Sequence, residues 1–276
     1  MDLHKNEKWL RARYLDDGLS TYKMGDLAGV NPSTINANLR INEIPLRDSG
    51  RKPNHVVLTQ EAIDVINGGL LGDWSIVTLT AAARFQTASK YLELVEWSSN
   101  VLNGFGIESM PSGIYHSLIT LKGGYGPYNT YTYGSRTYRE FLPLRELWYP
   151  NGKKVIPKGL ILSPATMLWL YIGDGSLHCG RKKSQKSSIN LATCGFTSND
   201  VRRLVQLLEN IGINAAFREY DNMIGISTKS TPAFLSYIGP CPKPIEAVYG
   251  YKWDLSRRGT IEDWRKKTGF YPRNHN

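Results

Sequence analysis

Two segments of this chain end in the same way. "LTQEAIDVINGGLLGDWSI" (58–76) and "MLWLYIGDGSL" (167–177) each carry an apolar run into Gly-Asp, at Gly72-Asp73 and at Gly173-Asp174. In the first, Ile63, Ile66, Leu70 and Leu71 recur at helical spacing. A helix C-terminus carries partial negative charge, so a carboxylate there is disfavoured unless something compensates it. Finding that arrangement twice points to an internal repeat. Thr59 and Ser163 stand near the helix starts, and Ser75 and Ser176 each follow the Asp by two residues. After each Asp come short β-like runs, a helix ("KYLELVEWSSNVLNGFG", "NDVRRLVQLLENIGI"), two more strand-like segments and a closing helix. Each half therefore reads α-β-β-α-β-β-α, an α+β class. Lys154 lies 81 residues beyond Asp73 and Lys252 lies 78 beyond Asp174. Two carboxylates and two lysines at matched positions of a duplicated unit predict a pseudo-twofold site.

The 276 residues exceed what one small core requires, and 41% hydrophobic content is enough for a packed interior. The formal charge of +10 favours a polyanionic partner, with nucleic acid the default. Cys179, Cys194 and Cys241 form no zinc spacing and no CxxC pair, which favours a reducing compartment. No apolar run approaches the roughly 20 residues of a membrane helix, and the N-terminus lacks a signal-peptide core. The expectation is a soluble protein of the cytoplasm or an organelle, not secreted and without a membrane partner.

Residues 1–52 read as a separate block. Trp9, Leu10, Tyr14 and Leu15 mark one helix, stopped by Gly18. Met24, Leu27 and Ala28 mark a second, followed by Gly29 as a tight turn. Asn31 as N-cap and Pro32 at the first helical position open a third, with Ile35 and Leu39 inward. Helix, glycine turn and capped helix predict a helix-turn-helix. Its exposed third-helix residues Ser33, Asn36 and Arg40 suit a groove reader. "RDSGRKPNH" (47–55) reads as a linker.

The duplicated Gly-Asp helix, with "WYPNGKKVIP" before the second copy and "YKW" closing it, resembles the single-chain LAGLIDADG homing endonucleases. The resemblance covers about residues 58–255 and rests on several segments in the right order. It implies a repeat at 53–162, a second at 163–256, and a basic tail at 257–276. It implies that the two motif helices pack side by side through small residues (Gly68, Gly69, Gly72 and Gly173), so that Asp73 and Asp174 meet. Those carboxylates, with the carbonyls of Gly72 and Gly173, would bind two or three divalent ions. Mg²⁺ is the expected ion, with Mn²⁺ as a substitute and Ca²⁺ supporting binding only. Lys154 and Lys252 would lie near the scissile phosphates. Gln86 would flank the site, with Cys194 expected as its second-half counterpart. Trp74 departs from the family's usual Gly after the first Asp.

The resemblance further implies two four-stranded sheets that saddle double-stranded DNA. Thr120, Lys122, Asn129, Tyr131 and Arg136 would contact DNA from the first half, along with Ser117, Tyr128 and Tyr133. Arg181, Lys182, Lys183, Lys186, Arg218 and Lys229 would do so from the second. The implied activity is metal-dependent hydrolysis of both strands at a long, partly palindromic site, leaving short 3′ overhangs, in the service of intron homing. The chain would act as a monomer with no obligate protein partner. Two other readings stay open: an RNA maturase acting on intron RNA, and a DNA-binding regulator without cleavage.

Overall fold

Capping side chains set where the helices begin. The computed structural model describes residues 2–46, 54–79, 82–120, 126–179 and 186–272. Contacts divide the chain into two compact units, 1–52 and 53–276.

In the first unit, Asn6 accepts from Trp9 N and opens α1 (Glu7–Arg11), which runs on as a π-turn over Ala12–Asp16. Ser20 caps α2 (Thr21–Ala28), and Gly29, at φ 66, ends it. Asn31 caps α3 (Pro32–Ile41). Gly25 lets the turn close tightly, because a Cβ there would lie 2.7 Å from Val30 O. The core is Leu10, Tyr14, Met24, Ile35, Leu39 and Ile44.

The second unit holds both repeats. Thr59 caps α4 (Gln60–Leu71) and Ser163 caps α7 (Pro164–Asp174), each hydroxyl accepting a backbone N–H three residues on. The first repeat continues as β1 (Ser75–Leu79), β2 (Ala82–Ser89), α5 (Leu92–Gly104), β3 (Tyr115–Ile119), β4 (Tyr128–Gly134) and α6 (Phe141–Trp148). The second continues as β5 (Gly175–His178), β6 (Ser188–Ala192), α8 (Ser198–Asn210), β7 (Ala215–Arg218), β8 (Met223–Ile226) and α9 (Thr231–Ile238). The sheets are antiparallel, in the order β1-β2-β4-β3 and β5-β6-β8-β7. The αββαββα order and the duplicated α+β fold hold as expected.

α4 and α7 pack against each other at the centre. A Cβ on Gly68 would lie 2.4 Å from Thr166 O and 2.7 Å from Trp169 Cβ, so only glycine permits this approach. Gly69 has a different role from the one expected. Its space is filled by Trp74, within 2.3 Å of where a Cβ would stand, rather than by the partner helix. Trp74 then meets Trp169 (centroids 4.8 Å apart), which stacks on Trp97 at 4.2 Å and 10°. The residue that departs from the family pattern thus has its own socket.

After the second repeat, α10 (Glu246–Tyr249) leads to the turn bearing Lys252. The segment expected to be a basic tail instead forms α11 (Ile261–Thr268). It opens with a capping box of Thr260 and Asp263 and seats Trp264, 5% exposed, against Tyr251 and Phe270.

Candidate active site and nucleic-acid surface

Asp174 is the last residue of α7, and Asp73 directly follows Gly72 at the end of α4. A Cβ on Gly173 would lie 3.3 Å from Asp73 N and 3.6 Å from Asp73 Oδ2. A Cβ on Gly72 would lie 3.6 Å from Gly173 Cα. The two glycines therefore keep the helix ends close enough for both carboxylates to share one centre.

Each lysine closes on the end of the helix in its own repeat. Lys154 Nζ donates to Gly72 O (3.0 Å) and Trp74 O (3.1 Å). Lys252 Nζ donates to Ile172 O (2.7 Å) and Tyr171 O (3.1 Å), and Tyr171 Oη donates back to Lys252 O (2.6 Å). Ammonium groups on these last-turn carbonyls offset the negative helix end, which is what a carboxylate at that position needs.

They do not offset it fully. Burial first, and then the charge of Asp73, push the Asp174 carboxyl up to about 6 against the pull of both lysines. Burial also pulls Lys252 down to about 8 and lowers Lys154, in each case against both carboxylates. Acid and base are displaced toward neutrality together, as expected of a desolvated cluster. Its donors are hard oxygens, the kind Mg²⁺ and Ca²⁺ prefer. Among the described residues no group of three or more His, Cys, Asp or Glu could hold a metal ion. Asp73, Asp174 and the Gly72 and Gly173 carbonyls would have to share an ion with water or phosphate oxygens. Gly72 O already accepts from Lys154 and keeps a second lone pair.

The carboxylates have unequal surroundings. A cavity of about 170 Å³ beside Asp174 is lined by Gly72, Lys154, Thr193, Cys194 and Phe196, among others. The one beside Asp73 holds only about 10 Å³, closed by Trp74, Trp169 and Leu94. Even so, Asp73 is exposed and Asp174 half-buried.

The LAGLIDADG DNA endonuclease family matches residues 63–234, more than half of the chain and both carboxylates. The chain belongs to this family. A structure of the homing endonuclease I-WcaI bound to its DNA recognition sequence aligns with a TM-score of 0.61 and 20% identity, over 85% of this chain and 98% of that one. The uncharacterised protein MJ1098 of Methanocaldococcus jannaschii is 25% identical over 255 residues, 87% of this chain and 96% of its own length. The cytochrome b mRNA maturase bI2 of Debaryomyces hansenii is 37% identical over 76 residues, 26% of each chain.

In this LAGLIDADG protein, strand register decides which side chains leave the sheets. Helices α5 and α6 pack on one face of the first sheet, where Ile76, Phe85, Thr87 and Tyr133 are buried. Side chains alternate, so the opposite, open face carries Ser75 across from Gln86, Val77 across from Arg84, and Ile119 across from Tyr128. Leu79, Ser117, Thr130, Tyr115 and Thr132 lie on the same face. Gln86 sits there, half-buried, and lines neither carboxylate cavity.

Several expected contacts fall on the other face. Tyr131 is 7% exposed and stacks on His116 at 4.9 Å, so it is a core residue and not a groove contact; Tyr133 is fully buried. Asn129 shares their face; it is exposed, and its Oδ1 lies 2.8 Å from His116 Nε2. Arg136 lies beyond β4 in an ion pair with Glu108 (2.9 Å). Thr120 is exposed just past β3. Lys122, Arg181, Lys182 and Lys183 lie outside the described residues.

On the second sheet the open face carries Ser176, His178, Asn190 and Arg218. Arg218 is there as expected, held by Asp221 at 2.8 Å and Asn190 at 3.4 Å. Lys186 and Lys229 are exposed and share a cavity of about 490 Å³ with Arg258. Register also corrects one correspondence. Ser75 Oγ donates to Gln86 O (3.4 Å) and Ser176 Oγ to Asn190 O (3.5 Å), so Asn190, not Cys194, is the counterpart of Gln86. Cys194 instead lines the Asp174 cavity, and its thiol donates to Asp221 O.

Arg84 and Asn190 are open-face residues that the sequence reading did not single out. The available signal was alternation counted from Ser75 and Ser176. In the first unit, Ser33 and Arg40 are exposed and Asn36 half-buried; the Ser33 hydroxyl is engaged with Asn31 Oδ1 at 2.9 Å.

Proposed function

We propose that this protein is a site-specific double-strand DNA endonuclease whose two motif carboxylates hold divalent cations. The observation that carries this reading is the meeting of Asp73 and Asp174 at a glycine contact between equivalent helix ends, with a lysine on each side. Mg²⁺ bound there would neutralise charge on the scissile phosphate and supply an activated water. Asp73 and Asp174 would hold the ions, and the Gly72 and Gly173 carbonyls would add oxygen ligands. Lys154, only half-buried, turns from Gly72 O toward a phosphate oxygen of the bound strand and stabilises the charge that builds up as the 3′ oxygen departs. Lys252, fully buried, fixes the end of α7 and so positions Asp174.

The open faces of the two sheets lie in the major groove. Arg84 and Gln86 on one, and Asn190 and Arg218 on the other, supply hydrogen-bonding groups at base edges. Lys186 and Lys229 neutralise backbone phosphates. The helices of residues 1–52 extend the footprint, with Ser33, Asn36 and Arg40 of α3 toward DNA. One chain contains both half-sites, so the active species is a monomer on a target that is only partly palindromic.

The maturase similarity motivates a second reading, in which the same basic surface binds intron RNA. Selection of cleaved sites from a random duplex library with Mg²⁺ tests the first. Recovery of one long sequence cut on both strands supports it. Absence of cleavage together with tight binding to structured RNA would replace it with the second.

A further inference from the structure

The open faces of the two sheets differ in chemistry. On the first, Leu79 (46% exposed), Tyr115 (66%), Ile119 (42%) and Tyr128 (50%) point away from the helices. These are large apolar side chains that the described residues leave about half uncovered. The strands of the second sheet carry no exposed large apolar residue among those described. Its open face presents the hydroxyls of Ser176 and Ser188, the His178 ring, the Asn190 amide and the Arg218 guanidinium.

We infer that the first repeat reads its half-site through thymine 5-methyl groups, and the second reads its half-site through hydrogen bonds. This rests on the endonuclease reading above and deepens it. The occupant follows from position and charge. The apolar residues share one continuous face with Arg84, Gln86 and Ser75, the last two residues from Asp73. A surface contiguous with a phosphate-cleaving centre, on a chain of net charge +10, faces DNA. In the major groove the apolar feature of a base pair is the thymine methyl, whereas Arg matches guanine and Asn matches adenine. Tyr128 and Ile119 stand directly across from each other, as do Tyr115 and Thr132, so each pair brings two apolar surfaces side by side on this face.

The test uses the full-length protein and the duplex recovered by selection from a random library. Deoxyuridine is placed for thymidine in one half-site at a time, which removes only the methyl. Binding is measured in Ca²⁺. In the half served by the first sheet, affinity should fall about fourfold per contacted methyl, the worth of one buried carbon. In the other half it should change less than about twofold. The double variant Ile119→Ser, Tyr128→Ser should erase the uridine effect in the sensitive half. Arg218→Ala should leave that effect intact and weaken binding through the other half. All three residues are surface-accessible and outside the catalytic centre, and a thermal melt checks that the variants fold. A uridine effect that is equal in the two halves, missing from both, or untouched by the double variant overturns the inference while leaving the endonuclease reading in place. Failure of the selection to yield any bound duplex overturns both.

Discussion

The two repeats share one architecture, yet they meet as a small partner and a large one. Gly68 of α4 faces Trp169 of α7 at equivalent positions of the two helices. Two copies of the first repeat would leave that interface empty, and two copies of the second would place Trp against Trp. After the Asp the relation reverses. Trp74 fills the notch of Gly69, whereas Gly175 packs under Tyr171, where a Cβ would lie 2.0 Å from the ring. Duplication preserved the carboxylates, while close packing was re-solved differently on each side. The two repeats keep their likeness at Gly-Asp, while the core around the proposed catalytic centre is specific for the intrachain pair.

Breaking that complementarity should give the largest effects. Trp169→Ala removes a ring stacked on Trp97 and against Trp74 and should cost about 3–5 kcal/mol in denaturant unfolding of the second unit. Gly68→Ala should cost about 2–3 kcal/mol. The double variant should not recover the second loss, because the new Cβ meets the Thr166 carbonyl and the Trp169 Cβ, and an alanine at 169 keeps both. Additive or worse behaviour fits the account; full rescue would show that the glycine serves the tryptophan alone.

The lysines sharpen the comparison at the centre itself. Lys252→Met removes the ammonium donor from Ile172 O, while Tyr171 O keeps its bond from Gly175 N, and should cost about 2 kcal/mol of stability along with activity. Lys154→Met, from a half-exposed site, should lower cleavage about a hundredfold with little change in the unfolding midpoint. Equal stability losses for the two would mean that their difference in burial has no energetic meaning.

A smaller contrast separates the two faces of one strand pair. Arg84→Ala should weaken DNA binding by about 1–3 kcal/mol, whereas Asn129→Ala should leave it nearly unchanged. Neither should shift thermal stability by more than about 0.5 kcal/mol. Smallest of all, Thr260→Ala removes the α11 capping box and should cost about 1 kcal/mol, detected as faster amide exchange in that helix.

Much of this was legible in the sequence, for physical reasons. Thr59 and Ser163 announced both motif helices because a cap leaves a side-chain signature. The repeated Gly-Asp stood out because charge at a helix end is costly. What alternation hides was read less well. "YNTYTYGS" holds Tyr128 on one face and Tyr131 and Tyr133 on the other, so the resemblance to DNA-saddling sheets marked all three as groove contacts when Tyr131 and Tyr133 belong to the core. Cys194 was matched to Gln86 by the family resemblance, and only pairing across Ser75 and Ser176 shows the match to be Asn190. The socket for Trp74 was invisible because Gly69 seemed to serve the partner helix. The basic tail concealed a helix whose Thr260-to-Asp263 spacing is itself a cap signal.

The most direct test of the central claim compares Asp73→Asn and Asp174→Asn with the parent on the selected duplex, in Mg²⁺ and in Ca²⁺. Asn keeps the shape and removes the charge on which ion binding depends. Strand-resolved cleavage in Mg²⁺ should fall by orders of magnitude for each variant, while binding in Ca²⁺ stays within about tenfold of the parent. Cleavage at the parental rate by either variant would contradict the assignment of the paired carboxylates as the metal-binding centre.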